Sequence, residues 1–319
     1  MSETETVIAG VVVKDTEPGF PEVQKQPAKP RTRKFIIWSI CIAALILLIT
    51  VFWHAEPQFR AYVEGIPATF YYFLAAGFVF AMIDGAIGMS YGVTSTSFSL
   101  SMGIPPASAS TAVHLSEVLS NGIAGWMHYR MRNVNKRLFR LLVVAGIVGA
   151  VSGAYLLSSL EHYSRYTKPV VSLYTLILGL VILRKAFNLQ SNKRAGKKIR
   201  RIRTLGFLGG FIDAVGGGGW GSIVLSSLMA GGRNPRTSLG TVKATRFFIA
   251  ILSSLTFITM LKTIHWDAVA GLVIGSAIAS PIAARVSSKI SAKSIMVAVG
   301  IIVVGVSCRS IYHFIVDIF

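Results

Sequence analysis

Two aspartates 129 positions apart, Asp84 and Asp213, each precede a glycine-rich stretch inside strongly apolar sequence. Acids in such surroundings are functional candidates, and proton binding is one role for them. The other is to accept hydrogen bonds from loop backbone next to the glycines. Gly216 to Gly219, followed by Trp220 and Gly221, cannot propagate a stable helix, because glycine costs about 1 kcal/mol per residue relative to alanine. A helix that opens there and resumes presents free N–H groups and the positive end of its dipole, which is anion-binding chemistry without a dedicated cation. Gly217, Gly218, Gly219, Trp220 and Gly221 are therefore candidate substrate contacts, with Gly88, Ser90, Tyr91 and Gly92 as the weaker counterpart upstream. The competing reading is that these glycines only permit close helix packing.

A second polar set lies further along each stretch. His114 and Glu117 share a helical face by their spacing of three, as do Lys243 and Arg246, and the 129-residue shift superimposes the two pairs. Lys243 and Arg246 suit an anionic substrate if they face the interior, or snorkel to headgroups if they do not. His114 and Glu117 are candidates for coupling together with Asp84 and Asp213, or form a structural hydrogen bond. No metal-ligand spacing appears, Cys41 and Cys308 sit in apolar runs, and no phosphate loop or cofactor motif is present. Gly216 to Gly221 also matches a dinucleotide fingerprint, but no strand precedes it.

The elements that must hold these residues are membrane spans. The chain has 319 residues, 53% hydrophobic and 14% charged, with a mean hydropathy of +0.61. Phe35 to Trp53 is an uncharged run of bilayer length. A formal charge of +19 is gathered in short stretches between apolar segments, which is topology rather than nucleic-acid binding. Those stretches, strongest between Arg184 and Arg203, mark the cytoplasmic side. The expected order is a disordered cytoplasmic tail (1–34), a helix at 35–53, a first repeat at 67–184, a basic linker at 185–203 and a second repeat at 204–319. Within the repeats, short segments at 67–83 and 91–104 precede long helices at 107–127, 138–158 and 168–184. Segments at 204–215 and 219–231 precede helices at 237–260, 267–286 and 294–316.

The fold class expected is thus an all-α polytopic membrane protein of two inverted repeats, each a short broken-helix pair plus three long helices, with one extra N-terminal transmembrane helix. Duplication rests on GFVFAMIDGAIGMSYG (Gly77 to Gly92) aligning without a gap on GFLGGFIDAVGGGGWG (Gly206 to Gly221). About ten identities accumulate over some 37 positions, with Gly103 on Gly232 and Pro106 on Pro235. Inverted repeats with interrupted helices are a recurring plan of secondary transporters, which bind substrate near the midplane.

Those paired openings, with Gly103 to Ser110 and Gly231 to Gly240, resemble the sulfite exporter TauE/SafE family over about Phe73 to Phe314. The resemblance implies secondary transport of sulfite, sulfonates or related small anions in the bacterial inner membrane. The expected partners are a small inorganic or organosulfur anion, the lipid bilayer and protons as a coupling ion. The other function class is a non-transporting anchor or assembly protein that recruits partners through its basic loops. No nucleophile and base suggest an enzyme.

Overall fold

The computed structural model describes residues 6–8, 11–13, 61, 64–187, 199, 201–286 and 292–316. The chain divides into Met1–Ile66 and Pro67–Phe319. In the first unit, β1 (Thr6–Ile8) pairs antiparallel with β2 (Val11–Val13). The helix expected at 35–53 and most of the basic linker lie outside the described residues.

The second unit is helical throughout its described residues: α1 (Ala68–Ile87), α2 (Tyr91–Ser101), α3 (Pro106–Arg130), α4 (Lys136–Ser159), α5 (Ser164–Phe187), α6 (Ile202–Gly216), a π turn (Gly221–Leu225) leading into α7 (Ser226–Ala230), α8 (Pro235–Met260), α9 (Trp266–Val286) and α10 (Ala292–Val316). The punctuation is local. Pro106 and Pro235 occupy first helical turns, where a missing N–H costs nothing. The Asn135 side chain caps α4 by accepting from Leu138 N–H at 2.9 Å, and Asn234 caps α8 in the same way. Among the described residues, five helices are long and apolar enough to cross a membrane. Their outward side chains, such as Val144, Val148, Val170 and Ile177, are exposed and apolar, as a lipid-facing surface demands.

Packing repeats at the same offset as the sequence. Helix α1 lies along α9, and α6 lies along α4. Adding 129 to the bounds of α1 and α4 gives those of α6 and α9 to within a few residues. Both contacts are backbone-close because glycines line them: a Cβ on Gly271 would stand 2.6 Å from the Phe70 carbonyl oxygen, and one on Gly149 would overlap that of Phe207. Two further pairs join corresponding helices to each other. In the α3/α8 pair, Gly125 meets Ala244 while Gly240 meets His128. In the α5/α10 pair, Ser172 bonds Ser310 and Thr175 bonds Ser307, each at 2.8 Å. In both pairs one index rises as its partner falls, so these matched helices run antiparallel.

The helices α1 and α6 differ in length, 20 residues against 15. The segment expected at 67–83 is a 20-residue helix, because Gly85 stays helical against Ala283 and the chain leaves α1 only at Gly88. There φ reaches 75°, a left-handed conformation that favours glycine.

Candidate functional site

Where α1 ends, Asp84 turns its carboxylate toward the break. Its Oδ1 accepts from Ser90 N–H at 3.0 Å and Tyr91 N–H at 3.3 Å. At the end of α6, Asp213 Oδ1 accepts from Trp220 N–H at 2.8 Å. Tyr91 and Trp220 are themselves 129 residues apart, so each aspartate caps the segment that follows its own break. The N–H groups expected to be open are thus partly occupied by the protein's own carboxylates.

The two breaks touch. A Cβ on Gly92 would lie 2.7 Å from Gly218 Cα and 3.3 Å from Arg246 Nη2, so neither position has space for a side chain. Gly217 (φ 65°) and Gly219 (φ 147°) carry the chain round the second opening. Freed carbonyls at membrane depth need partners. Thr96 Oγ1 donates to the Gly217 carbonyl and the Tyr174 hydroxyl to that of Gly218, each at 2.6 Å. Trp220 is fully buried, and its indole N–H lies 3.4 Å from the Val242 carbonyl.

The charged residues form one cluster at this junction. Lys243 Nζ is 2.5 Å from Asp84 Oδ2. Arg246 donates from Nη1 to Asp213 Oδ1 at 2.7 Å, from Nε to Glu117 Oε2 at 2.7 Å, and also from Nη2 to Glu117. His114 Nε2 faces Asp213 Oδ2 at 3.3 Å. His114 therefore pairs across the halves rather than with Glu117, and Lys243 and Arg246 point inward rather than to headgroups. The offset of 129 maps Lys243–Asp84 onto the reverse pairing, His114–Asp213, and maps Glu117 onto its own partner Arg246. Three of the pairs cross between the halves, while Arg246–Asp213 stays within the second. Every permanent cation of the cluster already has a carboxylate.

Asp84, Gly88, Ser90, Tyr91, Gly92 and Asn121 line a small pocket together with Gly219, Trp220, Gly221, Lys243, Arg246 and Glu117. Its cavity of about 20 Å³ holds roughly one water. Ser90 Oγ and Asn121 Oδ1 are buried there without a hydrogen-bond partner among the described residues. Such groups want a polar guest. Asn121 escaped the reading of the sequence, although it lies one turn beyond Glu117 on the same face of α3. Also unforeseen was the hydroxyl seam joining α2, α5 and α10 through Ser97, Thr175, Ser307, Ser172 and Ser310. Among the described residues, no group of three or more His, Cys, Asp or Glu side chains is placed to hold a metal.

A helical core with membrane-length spans, two touching backbone breaks and a buried ion-pair cluster joining the two halves of the chain defines a multi-pass membrane protein with a buried polar centre. The family model described as Sulfite exporter TauE/SafE matches residues 73–310, and the chain belongs to that family. It is similar to the probable membrane transporter protein YtnM of Bacillus subtilis (strain 168), with 37% identity over 248 residues, 76% of this chain and 82% of that one. No solved structure gives a significant match.

Proposed function

We propose that the chain is a secondary transporter of small anions, sulfite, sulfonate or related sulfur oxyanions, working by alternating access between the two breaks. The observation that carries this reading is the contact of Gly92 with Gly218 beside Arg246: two glycine openings from different repeats meet at one cationic side chain. A pocket holding roughly one water cannot take a four-atom oxyanion until the breaks part, so the arrangement fits the closed member of an alternating pair. Family membership and the name of the relative support transport as the activity and an anion as its cargo.

The antiparallel matched helices support repeats that enter the membrane from opposite sides. The basic ends of α3 (Arg130) and α8 (Arg236) fall on one side, which by the positive-inside rule is the cytoplasm. On this reading the protein resides in the bacterial inner membrane, with its N-terminus in the cytoplasm. Purified chain in vesicles should move at least one of sulfite, sulfate, thiosulfate or a sulfonate. Folded protein that moves none of them, with or without an imposed proton gradient, defeats the proposal.

A further inference from the structure

The cluster is asymmetric in the residue that faces each aspartate, lysine at Asp84 and histidine at Asp213. His114 on α3 is fully buried, and its Nδ1 lies 2.8 Å from the Ser110 carbonyl oxygen and 3.3 Å from Ser110 Oγ. A carbonyl can only accept, and the Ser110 hydroxyl hydrogen is directed to the Ala214 carbonyl at 2.7 Å. Nδ1 must therefore carry a hydrogen. In neutral imidazole that leaves Nε2 as a bare acceptor. Nε2 faces Asp213 Oδ2 at 3.3 Å, and neither atom has a hydrogen-bond partner among the described residues. The other Asp213 oxygen is already engaged by Arg246 and Trp220 N–H. Without a proton between them, two lone pairs would oppose one another in a site closed to water.

We propose that His114 and Asp213 together bind one proton, and that this proton crosses the membrane with the anion. The second clause rests on the transporter reading above. The groups facing the pair are Arg246 from α8, Glu117 on α3 and the Tyr174 phenol from α5, with the Phe257 ring of α8 stacked obliquely on the imidazole. The charge count gives the coupling. Three carboxylates (Asp84, Glu117, Asp213) meet two permanent cations (Lys243, Arg246), which leaves one excess negative charge that an incoming anion must oppose. One proton on His114–Asp213 brings the cluster to neutrality. The corresponding pair, Lys243–Asp84, places a lysine where this half has the histidine, so the two halves hold their aspartates with different chemistry.

Lysine opposite this aspartate is already accommodated in the other half, which makes His114→Lys a replacement the fold has a place for. The full chain is reconstituted in vesicles containing a pH-reporting dye and given thiosulfate or sulfate, neither of which carries a proton at neutral pH. Uptake should acidify the lumen and accelerate severalfold under an inward proton gradient. In His114→Lys, flux should be the same with and without the gradient. Independently of transport, 15N-histidine spectra in lipid nanodiscs locate the proton. The resonance missing from His114→Lys and His114→Gln should report a protonated, hydrogen-bonded Nε2 at neutral pH, and it should move in Asp213→Asn. Anion flux without proton movement, or a bare Nε2, overturns the proposal and leaves the transport reading standing. A protonated pair in a chain that moves no anion overturns the coupling and the transport reading together.

Discussion

Replacing Gly218 by alanine adds one methyl group at the point where the two breaks meet. Its backbone is not left-handed, so the substitution brings no conformational strain, only volume. The new Cβ would stand 2.8 Å from Gly92 Cα and closer still to the Gly92 carbonyl carbon and Val93 N, where an ordinary contact begins at 3.4 Å. The breaks must separate by several tenths of an ångström or more against rigid backbone, and overpacking of this kind costs about 1–3 kcal/mol. If the contact exists only in the closed arrangement, that cost falls on this arrangement alone and lowers its population about 5- to 150-fold. Transport through a closed intermediate should slow by a comparable factor in a vesicle thiosulfate assay, while the protein remains folded. Gly103→Ala is the control. It forces alanine into a left-handed conformation (φ 89°) but meets nothing within 4 Å, so it should cost stability without slowing flux. Flux in Gly218→Ala within twofold of wild type would refute the closed-contact reasoning.

Arg246→Lys keeps the charge but loses the planar fork that bridges Glu117 and Asp213. A buried charged hydrogen bond is worth about 1.5–3 kcal/mol, so the variant should unfold at markedly lower temperature in detergent. Arg246→Ala, which leaves two buried carboxylates without their cation, should be worse, at about 3–5 kcal/mol. Thr96→Val and Tyr174→Phe each remove the donor to one break carbonyl. Both should destabilise by about 1–3 kcal/mol in a thermal-unfolding series, because the Gly217 and Gly218 carbonyls have no water to turn to.

Hydropathy and charge placed the described helices well because both are one-dimensional signals. The helix expected at 107–127 runs Pro106–Arg130, and that expected at 294–316 runs Ala292–Val316. Gly85 was misleading, since a glycine tolerated in a helix by close packing against Ala283 resembles one that breaks it. The offset of 129 aligned His114 and Glu117 with Lys243 and Arg246 in sequence, which does not say who pairs with whom in space. Facing spacing on one helix suggests His114 with Glu117, whereas the fold crosses matched helices and exchanges their partners. Such pairing depends on how α3 meets α8, which periodicity does not encode. Tyr174 and Thr96 were invisible for the same reason, each being an ordinary residue made useful by a carbonyl in another segment.

The two breaks should also differ in how easily they open. At the first, Asp84 engages three N–H groups, its carbonyl taking that of Gly88 at 2.6 Å and its carboxylate those of Ser90 and Tyr91. At the second, the Asp213 carboxylate takes one backbone N–H, that of Trp220, beside the Arg246 guanidinium, and the chain resumes as a π turn in which Ile223 N–H bonds the Gly219 carbonyl. That opening is also held from outside, through the carbonyls of Gly217 and Gly218. A break built on four glycines and secured by Thr96 and Tyr174 can be released by small movements of α2 or α5, whereas the first keeps more of its backbone bonds within its own segment, beside the link from Ser222 to the Met89 carbonyl. Local opening exposes amides in proportion to how few bonds must break. Hydrogen exchange on the vesicle-embedded protein should therefore be faster at 216–221 than at 87–92, and faster still at 216–221 in Thr96→Val. Equal rates at the two breaks would mean that the glycines set the shape of the site without setting which half moves.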